Sequence, residues 1–502
     1  MAAHQGPVQA RLARLGPKGR LALAAILGAA AALGQAPWGL WPASLLALAG
    51  LYGIFCITRT LRQGLWAGWA AGTGYFLVSL NWIIEPFLID VARHGWMAPF
   101  ALLLMGAGMG LFWAIAWASA RGMGGGVAAW ITAGVLAEAL RGWLFTGFPW
   151  AQVGHIWIDT GLLGWASLGG ALLLSAAALL GAVAAWHVLD ARRVPGALGL
   201  VALAGALVLG PMLSQAPDVP PDAPLVRLVQ PNAPQDQKWD PAHIRTFFDR
   251  KLAFTAADAP PRLIVWPETS VPSLLSQAEG PLGAVKEAAR GAPVVLGIQR
   301  LDGLRLYNSM IVMDGQGDLV ALYDKHHLVP FGEYVPFGDA LGRFGIRGLA
   351  AQSGNGYSSG LGPQVIEVPG LGTALPLICY EGVFARDLRG APARADFLLL
   401  ITNDAWFGQA SGPYQHLAQA RLRSAEQGLP MIRAANTGVS AMIDAAGQVT
   451  AQIGLGEAGW IDAALPPPAA PTLYARMGDG PIVLLLLALA LGLSLRHRAR
   501  LL

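Results

Sequence analysis

Apolar and polar positions divide the chain into two kinds of sequence. Long apolar stretches recur at roughly 21–36, 38–57, 64–83, 96–118, 124–145, 162–189 and 196–214, and another fills 480–495. A helix needs about 20 apolar residues to cross a bilayer, so these stretches predict membrane spans. Between 215 and 479 the pattern changes to short β-like runs alternating with amphipathic helical stretches. Pro217, Pro220, Pro221 and Pro224 mark a linker into that block. Strands are expected at 225–230, 263–266, 294–300, 306–313, 319–323, 375–378, 397–402, 431–435 and 439–443, and helices at 243–257, 282–289 and 414–427. Strands alternating with helices predict a layered α/β domain. The glycine-rich stretch 338–362 reads as a loop that acts as a lid. There is no internal repeat and no low-complexity tract.

Composition sharpens this division. Hydrophobic residues make up 54% of the chain and charged residues 13%, whereas a soluble domain carries about 25% charge. A net charge of +4 raises nucleic acid as a partner. The basic residues instead cluster at the ends of apolar runs, which favours membrane orientation and excludes nucleic acid. Arg11, Arg14, Lys18 and Arg20 precede the first span. Arg59 and Arg62 follow the second, Arg121 the fourth, Arg192 and Arg193 the sixth, and Arg496, Arg498 and Arg500 the last. Every other loop is basic, as the positive-inside rule requires. The expected organisation is a cytoplasmic basic segment (1–20), a membrane domain of seven spans (21–214), a domain on the opposite face (215–479), a last span (480–495) and a cytoplasmic tail (496–502). The first apolar run also fits a cleavable signal peptide, but a second run follows almost at once, which favours a retained span.

Candidate chemistry sits in the middle block. Of two cysteines, Cys56 lies in an apolar run and reads as a small packing residue. Cys379 ends a strand-like run and stands on the opposite face, so the two have no route to a disulfide, and an unpaired Cys there suggests a reactive thiol. Glu268 follows another such run in Trp266-Pro267-Glu268, and Lys325 follows a third in Tyr323-Asp324-Lys325. A carboxylate, an amine and a lone thiol at strand ends are the parts needed to activate a thiolate and stabilise an oxyanion. His326 and His327 read as structural or surface histidines, and His416 has no ligand pattern around it, so neither a metal nor a cofactor is expected. Glu138 and Arg141, at i and i+3 in one span, read as an ion pair bracing the helices. Trp143, Phe148, Trp150 and Trp157 read as an interfacial aromatic belt.

The ordered set Trp-Pro-Glu, strand-end Lys325 and Cys379-Tyr380-Glu381 resembles the nitrilase superfamily with its Glu-Lys-Cys triad. The apolar frame, Val229-Gln230-Pro231-Asn232, Lys325–Glu333 and Asn403-Asp404-Ala405-Trp406-Phe407-Gly408 narrow the resemblance to the bacterial apolipoprotein N-acyltransferases, over about residues 20–497. The resemblance implies a multi-span α-helical membrane protein of the bacterial inner membrane with an inserted αββα nitrilase-like domain on the periplasmic face, acting as a monomer. It implies acyl transfer from a phospholipid to the α-amine of a diacylglyceryl-cysteine on a lipoprotein. It further implies Glu268 as general base, Cys379 as nucleophile, and Lys325 as the cation that lowers the thiol pKa and holds the oxyanion. By the same resemblance Glu333 is a second carboxylate in the site, Tyr380 and Glu381 shape the pocket, the Tyr380 N–H shares the oxyanion, and Trp239 and Asn308 stand close by. Two rival readings share some of these features. A membrane-tethered amidase or nitrilase acting on a small C–N substrate would not need so many spans. A transporter or assembly protein with an inactive nitrilase-like module would not need all three of Glu268, Lys325 and Cys379.

Overall fold

The computed structural model describes residues 6–335 and 356–501. It forms two compact units, one from 1–214 with 472–502 and the other from 215–471. The lid expected at 338–362 falls outside the described residues up to 355.

In the first unit every apolar stretch becomes helical. The helices are α1 (Pro17–Ala31), α2 (Trp41–Ile57), α3 (Leu61–Ser79), α4 (Ala98–Gly122), α5 (Val127–Trp143), α6 (Ala166–Leu189) and α7 (Arg193–Leu213), with a further helix at Gly480–Ala499. Among the described residues, four helical segments are long and apolar enough to cross a membrane: Val91–Gly122, Gly161–Leu189, Arg193–Leu213 and Gly480–Ala499. The remaining candidates are shorter or diluted by small and polar residues. Small residues let α3 and α4 approach closely, as in membrane helix pairs generally. A Cβ on Gly72 would lie 2.8 Å from the Gly110 Cα, and one on Gly68 would lie 2.5 Å from the Trp113 carbonyl oxygen.

Three expectations change here. Glu138 and Arg141 do brace the unit, but through backbone. Glu138 accepts from the Val153 N–H at 2.8 Å and from the Ser175 hydroxyl, while Arg141 donates to the Phe148 and Trp150 carbonyls at 2.6 and 2.5 Å. Together they pin the segment 148–153. Trp150 and Trp157 are not a belt: both are fully buried, against Trp82 and Trp41, whereas Trp143 is exposed. The boundary near 479 moves to 471, because the Tyr474 ring occupies the space beside Gly170, at the kink in α6.

The second unit contains β1 (Leu225–Gln230), α8 (Ile244–Thr255), β2 (Leu263–Val265), α9 (Glu279–Ala289), β3 (Val294–Asp302), β4 (Arg305–Met313) and β5 (Leu319–Asp324). After the undescribed segment come β6 (Ile366–Val368), β7 (Gly372–Ile378), β8 (Phe397–Thr402), α10 (Gly412–Gln427), β9 (Met431–Ala435), β10 (Ser440–Ile443), β11 (Val449–Ile453) and β12 (Gly459–Ala464). They form two six-stranded sheets, ordered β12-β1-β2-β3-β4-β5 and β11-β10-β9-β8-β7-β6. Phe248 and Leu252 of α8 and Val285 and Ala289 of α9 pack on Val229, Ile264 and Leu296 of the first sheet. Leu417 and Ala420 of α10 pack on Leu398, Leu400 and Met431 of the second. The sheets meet where Gln230 Oε1 accepts from the backbone N–H and hydroxyl of Ser440, at 3.0 and 2.6 Å. The layers are therefore α, β, β, α.

Topology gathers the chemistry. β1, β2 and β3 run parallel, as do β7, β8 and β9, so Glu268 after β2, Cys379 after β7 and Asn403 after β8 leave carboxyl-terminal strand ends, where layered α/β folds place their sites.

The two halves of the first sheet's edge are joined by a buried charge. Arg227 on β1 is fully buried, pairs with Asp462 on β12 at 2.8 and 2.7 Å, and donates to the carbonyls of Thr255, Ala257 and Ala259. Removing one partner of a buried pair costs about 3–5 kcal/mol. Arg227→Ala is expected to lose stability of that order, seen as a lower thermal midpoint of the detergent-solubilised protein, with Asp462→Ala losing less because Asp462 is partly solvated.

Candidate active site

The strand β2 ends in Trp266-Pro267-Glu268, and the turn that follows lies directly on β3. Gly297 makes this possible: a Cβ there would stand 2.4 Å from the Thr269 nitrogen and 2.7 Å from the Glu268 Cα. The Ser270 N–H closes the contact onto the Gly297 carbonyl at 2.7 Å. Glu268 is thereby held buried with both oxygens engaged. Oε1 accepts from Asn308 Nδ2 at 2.7 Å and Oε2 from the Asn403 N–H at 2.8 Å.

Lys325 follows β5 and is almost completely buried. Its Nζ donates to Glu333 Oε1 at 2.9 Å and lies 3.6 Å from Glu268 Oε1. Burial alone would pull this amine down. Glu333, Glu268 and the Cys379 thiol outweigh burial and raise it, so Lys325 is a fixed cation. Glu333 Oε2 accepts from the Val329 N–H at 2.9 Å, which closes the loop carrying both residues. Asn308 on β4 ties the group together, because its amide also reaches Glu333 Oε1 at 3.3 Å.

Cys379 begins a tight turn after β7 with φ of +53°. A non-glycine residue there stores strain of order 1–3 kcal/mol and persists only if its surroundings enforce it. The thiol is buried. Burial first, then the Glu268 charge, push its pKa well above the ordinary range, while Lys325 acts in the opposite direction without prevailing. Lys325 thus acts on the thiol in the expected direction, while burial and Glu268 set the net direction upward.

Glu381 holds the turn from beneath. Fully buried, it accepts from the Ile378 N–H on one oxygen at 2.7 Å. Its other oxygen takes the His326 and His327 N–H groups at 2.8 and 3.2 Å and the Tyr323 hydroxyl at 2.8 Å. One carboxylate therefore staples the Lys325 strand end to the Cys379 strand end. His326 Nδ1 lies 2.7 Å from Glu381 and its Nε2 lies 3.6 Å from Asp387. His327 Nδ1 lies 2.7 Å from the same Asp387 and its ring stacks on Phe384. Two histidines and Asp387 bring metal-ligand-type atoms within 4.8 Å; both Nδ1 atoms are engaged in this strap, whereas both Nε2 atoms are buried without a hydrogen-bond partner. Tyr380 packs edge-on against His327 and Phe384.

Trp239 is 40% exposed, and its described partner is Lys238, whose Nζ lies 5.3 Å from the ring centroid. Lys238 is the group that sequence reasoning missed. It is buried, and donates to the Glu268 carbonyl at 3.1 Å and the Thr269 hydroxyl at 2.9 Å, bracing the turn. Burial pulls it down to about 8, with Glu268 and Cys379 resisting. A lone lysine between Gln237 and Trp239 carries no sequence signal of burial. Asn403 was legible as part of a motif, and its role as Glu268's partner comes from the fold.

Two predictions follow from these contacts. Asn308→Asp places a third carboxylate against Glu268 and Glu333, and is expected to reduce turnover at least about 10²-fold, whereas Asn308→Ser loses less; steady-state kinetics checks the order. The strap makes stability pH-dependent. Burial opposes charge on His326, but Asp387 and Glu381 raise it from 6.5 to about 9. Its contribution is complete below about 6.5 and is lost as pH rises through about 9. Asp387, opposed by burial but held by both histidines, falls from 3.8 to about 2, so its contribution is present above 3.8 and lost as pH falls through 2. His326→Gln should therefore flatten the decline of the thermal midpoint on the alkaline side; equal slopes in both proteins would exclude the strap as its source.

Known proteins match both parts of the chain. The carbon–nitrogen hydrolase family matches residues 225–472, and the apolipoprotein N-acyltransferase N-terminal domain matches 27–184. The apolipoprotein N-acyltransferase of Rhodopseudomonas palustris is 34% identical across 95% of this chain and 95% of its own length. That of Caulobacter vibrioides is 37% identical across 93% and 92%, and that of Brucella melitensis 37% across 96% and 97%. With both family regions present and identity sustained over nearly the whole length, the chain belongs to the apolipoprotein N-acyltransferase family.

Proposed function

We propose that the protein transfers an acyl chain from a phospholipid, through a thioester on Cys379, to the α-amine of a diacylglyceryl-cysteine at the start of an apolipoprotein. The observation that carries the reading is the cluster of Glu268, Lys325, Glu333 and Asn308, bonded to one another, with the Glu268 and Lys325 charges acting on the buried Cys379 thiol. Such a thiol needs a base at the moment of attack, and Glu268 is the carboxylate beside it.

In the first half, Sγ attacks the ester carbonyl as its proton passes to Glu268. The tetrahedral oxyanion is held by Lys325 Nζ and the Tyr380 N–H. Collapse breaks the C–O bond, and the departing glycerol oxygen takes the proton from Glu268, giving a lysophospholipid. In the second half the lipoprotein amine attacks the thioester and gives a proton to Glu268. The C–S bond breaks, Glu268 returns the proton to sulfur, and an amide remains. Two half-reactions sharing one nucleophile predict ping-pong kinetics. Glu333, bonded to Lys325, keeps the ammonium in place.

The setting we infer follows the charge pattern: both termini in the cytoplasm, the 215–471 unit on the periplasmic face of the inner membrane, and lipid-borne substrates supplied from the outer leaflet. An amidase acting on a small C–N compound would share the cluster without needing helices of membrane length, and such helices are present on both sides of the catalytic unit in the sequence.

Acyl labelling tests the chemistry. Full-length protein in detergent is incubated with phospholipid bearing a tagged acyl chain, then with a diacylglyceryl-cysteine peptide. Hydroxylamine-labile label is expected on the Cys379 peptide, moving to the peptide amine in the chase. Cys379→Ser should abolish transfer, and Glu268→Gln should slow it by about 10²–10⁴-fold. Folded wild-type protein without label on Cys379 would refute the thioester route.

A further inference from the structure

Behind the thiol runs a buried line of polar groups that the transfer chemistry leaves unused. His416 on α10 directs Nε2 at the carbonyl oxygen of Cys379, 3.2 Å away. Its Nδ1 lies 2.8 Å from Asp404 Oδ1 and 3.3 Å from Arg433 Nη2. Asp404 also accepts from the Thr402 hydroxyl at 2.8 Å and from Arg433 Nη2 at 2.5 Å. Arg433 is anchored in turn by donating Nε–H to the Val439 carbonyl at 3.1 Å. His416, Asp404, Arg433 and Thr402 have no exposed surface. Charges are costly to bury even when paired, and this set converges on the nucleophile's own backbone.

A carbonyl oxygen only accepts, so the hydrogen of this contact sits on His416 Nε2. The carbonyl of Cys379 and the N–H of Tyr380 are the two ends of one planar peptide group, and in a trans peptide they point in opposite directions. Fixing one end fixes the other. A hydrogen bond to the carbonyl also polarises the group and makes its N–H a better donor. The strained φ of Cys379 requires such a hold. Glu381 anchors the end of β7 through the Ile378 N–H, one peptide before the Ile378–Cys379 link, and His416 restrains the peptide that follows Cys379.

We propose that His416 is a positioning residue of the oxyanion site: by gripping the Cys379 carbonyl it aims the Tyr380 N–H at the acyl oxygen, while Asp404 and Arg433 fix the imidazole. The inference rests on the thioester reading above. His416 touches neither substrate nor sulfur in this role. Its effect falls on steps that form an oxyanion and spares reactions of the thiol that do not.

The test compares two reactions of one sulfur in the full-length protein in detergent. Acylation by tagged phospholipid passes through an oxyanion; alkylation by iodoacetamide, followed on the Cys379 peptide, does not. His416→Phe is expected to lower the acylation rate constant about 10²-fold, the scale of losing one oxyanion donor, with KM and the alkylation rate within about threefold of wild type. His416→Gln keeps a side-chain N–H for the carbonyl and is expected to recover to within about tenfold. Acylation by His416→Phe at the wild-type rate would overturn the proposal. So would parallel losses of acylation and alkylation in both variants, which is the signature of a packing role. Where His416→Phe does not fold, His416→Leu, which also lacks an N–H for the carbonyl, decides: an acylation-to-alkylation ratio equal to wild type, together with a lowered thermal midpoint, again means packing alone. Failure of the thioester reading is separate and visible in the control, because wild-type protein would then carry no label at all.

Discussion

The site depends on one burial: the ammonium of Lys325, placed where almost no water reaches it. A lone buried charge is prohibitive, so the fold surrounds it with Glu333 and Glu268. Two carboxylates this close would repel each other, and the Asn308 amide, donating to both, relieves part of that cost. The second carboxylate leaves one negative charge in excess, and Lys238, bonded at the Glu268 turn, lies near enough to offset it. Burial first, and the Glu268 charge second, disfavour a thiolate here against the pull of Lys325. Ionising sulfur would add a negative charge to a group already balanced, in a medium that penalises it. Moving the proton from sulfur to Glu268 keeps the total constant, so the cluster favours transfer inside itself over loss of a proton to solvent.

The parts of this arrangement that could be read from sequence are those tied to strand periodicity. β1, β8 and β9 fall at the expected residues, and Glu268, Lys325 and Cys379 each stand just past an apolar run, where a strand must stop. β6, β11 and β12 were not legible: they are short or largely half-exposed, with no apolar face to set them apart from loop. Tryptophans near helix ends illustrate another limit. Trp143 and Trp150 have the same local signature, and only tertiary packing puts one in the open and the other against Trp82. Lys238 and His416 show it most plainly. A single lysine or histidine with one polar and one apolar neighbour gives no sign of burial, and the groups that hold them, Thr269 for one and Asp404 and Arg433 for the other, lie elsewhere in the chain.

Glu381 gives the site its mechanical unity. The Lys325 and Cys379 strand ends belong to different sheets, and nothing in β-sheet hydrogen bonding ties β5 to β7. A single carboxylate bonded to the N–H groups of His326, His327 and Ile378 supplies the tie. Carboxylate-to-amide bonds of this kind are charge-assisted and stronger than neutral ones, and the His326–Asp387 contact adds a second strap outside it.

The same constraint bears on how, in the transfer proposed above, a strained nucleophile and a cation can remain in register through two half-reactions with dissimilar acceptors. An ester oxygen leaves in the first and a thiolate in the second, so the reacting carbon is approached from different partners, but the oxyanion must form at the same place both times. That demands that the donors belong to the rigid part of the site and the substrates to the mobile part. Lys325 is rigid because Glu333 and Glu268 hold it; the peptide after Cys379 is held at its carbonyl by His416, and Glu381 anchors the strand end before it at the Ile378 N–H. Acyl donor and amine acceptor can then exchange without the protein rebuilding the oxyanion site between them, which is the condition for one thiol to serve both halves of a transfer.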